Sequence, residues 1–198
     1  METSWVQRGN VSLEVKVTGS GPLILCVHGW PELWYSWRHQ MSYSAERGYQ
    51  VAALNVRGYG ASSHPTDIAS YTLSELSADI LAVATALSDE PVILFGHDWG
   101  APQVYTAALR FPEHIRAVAG LSVPFIPKSR GQPSIYGRPC IRIVSFIKPT
   151  FSLQGLWRLN SVRMLGSPYE NWHPKLIPNK KQFVLMWVKF ACLLTLWH

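Results

Sequence analysis

The chain predicts an α/β fold, a mostly parallel sheet with helices on both faces. Three observations lead there. Apolar runs of strand length, Leu23-Ile24-Leu25-Cys26-Val27 and Val92-Ile93-Leu94-Phe95, are bounded by turn residues, the pattern of strands covered on both faces. Segments of helical period lie between such runs, as the crossovers of a parallel sheet require. Directly after the second run comes Gly96-His97-Asp98-Trp99-Gly100. Its small outer residues let a strand turn sharply into a helix and hold the middle side chain out at the turn.

Taken in order, residues 5–17 alternate in and out around Gly9-Asn10 and read as an opening hairpin. Gly19-Ser20-Gly21-Pro22 is a turn. After the strand at 23–27 comes His28-Gly29-Trp30-Pro31-Glu32, then a helix over 34–46 with Trp34, Trp37 and Met41 on one face. Residues 49–54 give the next strand, which ends at Asn55-Val56-Arg57-Gly58-Tyr59-Gly60. The following helix is the best specified. Leu73, Leu76, Ile80, Val83 and Leu87 share a face. Thr72 and Glu75 stand as a capping box, and Tyr71 and Leu76 as a hydrophobic staple. Pro91 opens the strand that carries Asp98. The helix after Asp98 has Gly100, Ala101, Ala107 and Ala108 for close approach to the sheet, and tolerates Pro102 in its first turn. Pro112 stops it, and residues 115–123 form another strand. Ligands in such folds sit at the C-terminal ends of the strands. The segments after 27, 54 and 97 therefore converge on one edge.

At 198 residues, with 47% hydrophobic and 15% charged residues, the chain is long and apolar enough for a core and is not a disordered polymer. Cys26, Cys140 and Cys192 are widely spaced, and Met1-Glu2-Thr3-Ser4-Trp5 has no apolar leader. The expectation is a cytoplasmic protein with free thiols. The net charge of +6 is divided unevenly: residues 1–127 sum to −4 and residues 128–198 to +10. So sharp a division argues for two parts of different origin or role rather than for nucleic-acid binding. The apolar stretch 183–197 is 15 residues long, short of the roughly 20 that span a bilayer, which makes a membrane anchor the weaker reading.

A serine in the turn at 96–100 would need a base to ionise it. A carboxylate is already ionised at neutral pH and can attack an sp3 carbon bearing a leaving group, forming an ester. Asp98 thus points to epoxide opening or carbon–halogen cleavage. The bland alternative is that Asp98 caps the helix that follows.

The motifs together resemble the epoxide hydrolases of the α/β-hydrolase fold. His28-Gly29-Trp30-Pro31-Glu32-Leu33-Trp34-Tyr35-Ser36-Trp37-Arg38-His39-Gln40 is similar to that family's oxyanion stretch and first helix. Arg57-Gly58-Tyr59-Gly60-Ala61-Ser62 resembles the next loop, Gly96–Gly100 the nucleophile elbow, and Ser122-Val123-Pro124-Phe125-Ile126-Pro127 the approach to the lid. The resemblance covers about residues 4–135. It implies Asp98 as nucleophile, backbone N–H groups of Trp30 and Trp99 as the oxyanion hole, a small apolar epoxide as substrate, and no cofactor or metal. His28 reads as a structural brace and His97 as a core histidine, because neighbours on a strand face opposite ways. Tyr35 and Tyr59 read as packing residues. Haloalkane dehalogenases usually carry Asn at the position of Trp30, and fluoroacetate dehalogenases Arg at that of Trp99. A haloalkane or haloacid dehalogenase-like hydrolase is therefore the runner-up.

The resemblance stops near Ile135. The family supplies a second acid and a histidine base from later strands, and two lid tyrosines. After Asp98 this chain has no Asp, and Glu170 is the one acid beyond residue 127. His114 falls in a surface turn, and His173, His198, Tyr136 and Tyr169 match nothing in the family. The expectation is a core over residues 1–127, truncated before the lid and last strands, and a basic tail over 128–198 that is out of frame or a shortened lid region. With no later strands expected, the strand at 115–123 is left as an open apolar edge. Turnover would be impaired, and a non-catalytic binding remnant is the third reading.

Overall fold

The computed structural model describes residues 1–125 and, beyond them, the course of four short strands. β1 (Glu2–Arg8) and β2 (Val11–Thr18) form the expected antiparallel hairpin. Gly9, at φ +58°, supplies the left-handed residue of its turn. β3 (Leu23–Val27), β4 (Gln50–Leu54), β5 (Val92–His97) and β6 (Ile115–Leu121) are mutually parallel in the order β4-β3-β5-β6, and β2 flanks β4 antiparallel.

Strand alternation divides the interior into two layers. Leu23, Leu25 and Val27 face one core with Ile80, Val83, Val104 and Ala108. These come from α2 (Leu73–Leu87) and α3 (Gly100–Arg110). Ile24 and Cys26 face the other with Trp37 and Met41, on the side of α1 (Arg38–Ala45). Helices thus cover both faces of the sheet. The single helix expected over 34–46 is a 3-10 turn, Trp34–Trp37, followed by α1.

α2 begins as predicted, with Thr72 Oγ1 accepting the Glu75 N–H at 3.3 Å. The reciprocal half of the capping box is absent from the described contacts. The Glu75 carboxylate turns to Arg8 instead, because a fixed cation attracts it more strongly than a neutral N–H. The stripe is buried at Ile80 and Val83, half-buried at Leu76 and Leu87, and exposed at Leu73.

The open edge expected at residues 115–123 is overturned. β6 is not an open edge: β7 (Arg142–Phe146) pairs with it in parallel, from Ala117↔Arg142 to Leu121↔Phe146. β10 (Val162–Leu165) pairs antiparallel with β7, while β8 (Thr150–Phe151) and β9 (Trp157–Arg158) form a separate pair. The sheet therefore runs β1-β2-β4-β3-β5-β6-β7-β10. Ile141-Arg142-Ile143-Val144-Ser145-Phe146 carries enough β-branched and aromatic residues for a strand; the basic charge around it masked that signal. Tyr136, Tyr169, His173, His198 and the apolar stretch 183–197 lie outside the described residues. Among the described residues, no helix is long and apolar enough to cross a membrane.

Candidate active site

β5 ends and α3 begins within three residues, and Asp98 between them sits at φ +50°. A non-glycine residue in that region is strained unless its surroundings hold it there. They do so through the backbone: Asp98 N–H donates to Leu121 O at 3.2 Å, and Asp98 O accepts from Ala101 N–H at 3.0 Å. The two outer glycines are required by contact. A Cβ on Gly96 would lie 2.5 Å from Gly100 O, and one on Gly100 would lie 2.2 Å from Val27 O. Glycine at both places lets α3 start against β3.

The loop after β3 meets this turn. Trp30 N–H donates to Asp98 Oδ1 at 3.0 Å. Gly29 passes so close that a Cβ there would fall 2.5 Å from both Cβ and Oδ1 of Asp98. The capping alternative does not hold. Trp99 is the N-cap of α3, no side chain caps that end, and the Asp98 carboxylate engages an N–H from a different loop. Of the two expected oxyanion donors, Trp30 N–H is brought onto the carboxylate, and Trp99 sits directly after it at the start of α3. Trp30 and Trp99 are 66% and 65% exposed, two large apolar residues at the surface on the segments that meet at Asp98.

His28 is the expected brace. It is buried, its Nδ1 is 2.8 Å from Gly29 O, and its Nε2 accepts Val56 N–H at 3.1 Å. With Nε2 accepting, Nδ1 must carry the proton and donate. Burial lowers its pKa against the opposing pull of Gly29 O and Glu32. Tyr59 packs edge-on to His28, 5.0 Å between centroids. Its phenol is raised by burial and by the charge of Asp98. Tyr35 is exposed beneath the Arg38 guanidinium, 4.3 Å away.

His97 is not a core histidine. Its side chain is 21% exposed, and Nδ1 lies 3.1 Å from Glu32 Oε2. Burial acts to raise the Glu32 pKa, but the His97 contact, a backbone hydrogen bond at Gly29 and the influence of His28 together outweigh it and hold that carboxyl low. His114 stands at the wrong end of the sheet. Its carbonyl accepts Val92 N–H where β5 begins, six residues and roughly 20 Å from the turn that carries Asp98.

Sequence reasoning missed a buried ion cluster that ties the loop after β4 to α2. Arg57 grips Asp79 with two hydrogen bonds of 2.6 Å, and its third nitrogen donates to Ser70 O at 2.8 Å. Arg8 donates to Asp79 Oδ1 at 2.7 Å. Arg57 and Asp79 side chains are each 2% exposed. A signal was available: Asp79 lies three residues after Leu76 and four before Val83, inside the apolar stripe of α2, where a carboxylate needs a buried cation.

An open α/β sheet with a sharp Gly-x-Asp-x-Gly strand-to-helix turn at the end of its central strand defines a class. The chain belongs to the α/β-hydrolase fold family, whose description, "alpha/beta hydrolase fold", matches residues 22–134. Within that class it is similar to epoxide hydrolases. It is 41% identical over 133 residues to the epoxide hydrolase of Caballeronia sordidicola, covering 67% of this chain and 40% of that one. It is 39% identical over 132 residues to epoxide hydrolase 3 of Siraitia grosvenorii, covering 67% and 42%. The crystal structure of an epoxide hydrolase from Vigna radiata superposes with a TM-score of 0.62 at 43% identity, over 65% of this chain and 40% of that one. The chain thus spans about two fifths of the length of the curated relatives it matches.

Proposed function

We propose that this chain carries the nucleophile half of an epoxide hydrolase site, with Asp98 as the attacking group and a small apolar epoxide as substrate. The observation that carries the reading is the Trp30 N–H on Asp98 Oδ1, with Asp98 held at φ +50°. Oδ1 is occupied, so Oδ2 is the oxygen free to attack. Attack at an epoxide carbon forms a C–O ester bond and breaks the ring C–O bond, leaving an alkoxide that must take up a proton. Oδ1 then becomes the ester carbonyl oxygen. Water attacking that ester would place negative charge on Oδ1, where Trp30 N–H already points and Trp99 N–H adjoins. The exposed Trp30 and Trp99 rings give an apolar epoxide a surface beside the carboxylate.

The second half-reaction needs a base for the water. Among the described residues, His28 is committed to backbone partners and His97 to Glu32, His39 and His64 are exposed on α1 and in the loop after β4, and His114 faces the far end of the sheet. Acid–base assistance of this kind is worth roughly 10²–10⁴-fold per step. The account is therefore ester formation without efficient release. A cytoplasmic setting goes with it, supported by the buried free thiol of Cys26. Core and tail, divided near residue 127, belong to the same proposal. Product analysis tests it. The chain incubated with styrene oxide should form diol at the background rate, and with a bromoalkane should release no bromide. Asp98-dependent diol turnover would contradict the impaired half-reaction, and Asp98-dependent bromide release would favour the dehalogenase reading.

A further inference from the structure

Two adjacent residues at the end of β4 hold both ends of the loop that presents the Trp30 N–H. Val56 N–H donates to His28 Nε2 at the loop's start, 3.1 Å away. Asn55 Oδ1 accepts Trp34 N–H at its end, at 2.8 Å. Asn55 is itself locked. Its Nδ2 donates to Glu14 Oε2 at 2.7 Å, and that carboxylate is fixed by Lys16 at 2.8 Å and by Ala61 N–H at 3.2 Å. The amide orientation is dictated by chemistry, since a backbone N–H can only donate and a carboxylate can only accept. Asn55 is 1% exposed, and a Cβ on Gly60 would lie 2.1 Å from its Nδ2, so there is no room to turn.

We propose that Asn55 is a positioning residue for the oxyanion loop, oriented by Glu14, and that this pair sets where Trp30 N–H meets Asp98. The proposal rests on the reading of Asp98 as nucleophile. Its physical requirement is sharper than burial alone. The residue at 55 must accept on one side and donate on the other. An aspartate of the same shape can accept from Trp34 but would face Glu14 with a second carboxylate. Replacing Glu14 by glutamine returns a donor to that contact, while Ala61 N–H loses its acceptor, so rescue should be large but incomplete.

The test is amide hydrogen exchange on the full chain, read at Trp30 and Trp34 against amides of β6, for wild type, Asn55→Asp and Asn55→Asp/Glu14→Gln. We expect the single variant to raise exchange at both tryptophans by about tenfold relative to β6, the scale of one lost hydrogen bond, and the double variant to restore most of it. A merely structural role would raise exchange in β6 equally. A folded Asn55→Asp protein with Trp30 unchanged would overturn the proposal. Should that variant not fold, the double variant must fold and protect both amides; a double variant as unprotected as the single also overturns it. Alkylation of Asp98 by styrene oxide provides the functional arm, slowed in the single variant and recovered in the double. If wild-type Asp98 is not alkylated, the catalytic reading fails, and the exchange result still decides the role of Asn55.

Discussion

Single atoms decide how close the loop after β3 comes to the turn at Asp98. Gly29 has no Cβ, and adding one would bring it to 2.5 Å from Asp98 Oδ1 and 2.8 Å from His97 O. Gly29→Ala should therefore destabilise the fold by about 1–3 kcal/mol, the range for overpacking, and displace Trp30 N–H from the carboxylate. Urea denaturation checks the first effect. Glu14 makes a second residue-scale prediction. Burial acts to raise its pKa, but hydrogen bonds from Lys16, Asn55 and Ala61 and the charge of Lys16 outweigh that and hold it below the ordinary 4.5. A depressed carboxyl binds fewer protons folded than unfolded, so its stabilisation is present above pH 4.5 and is lost as pH falls through the folded value. Wild type should lose more stability than Glu14→Gln on acidification below pH 4.5, measured by urea titration at several pH values.

Among the elements, α2 shows what the sequence reveals and what it hides. Its stripe and Thr72 cap follow from local spacing. Thr72→Ala should cost about 1 kcal/mol. Its partners at long range are another matter. Asp79 is joined to Arg57 from the loop after β4 and to Arg8 from β1, separations of 22 and 71 residues that no local pattern encodes. Asp79→Ala leaves the Arg57 charge buried without its carboxylate and should cost about 3–5 kcal/mol, seen as a fall in the denaturation midpoint. His97 shows the same limit. Its partner Glu32 lies 65 residues away in sequence, out of reach of any local pattern. The glycines at 96 and 100 were legible because close approach demands the residue type itself. β7 was not, since the charge around 142–146 drew the reading toward an unordered tail.

At the scale of the molecule, the sheet brings the ends of β3, β4 and β5 together, and Asp98 meets Trp30 N–H only because parallel order places those ends on one edge. The central claim is that Asp98 in this setting is a nucleophile. The direct measurement is intact-mass analysis after incubation with an aryl epoxide, with peptide mapping of the modified residue, beside Asp98→Asn. The account predicts one epoxide added per chain, mapped to Asp98, persisting after excess reagent is removed and absent from the variant. A folded wild-type chain that stays unmodified, or is modified equally in the variant, would contradict it.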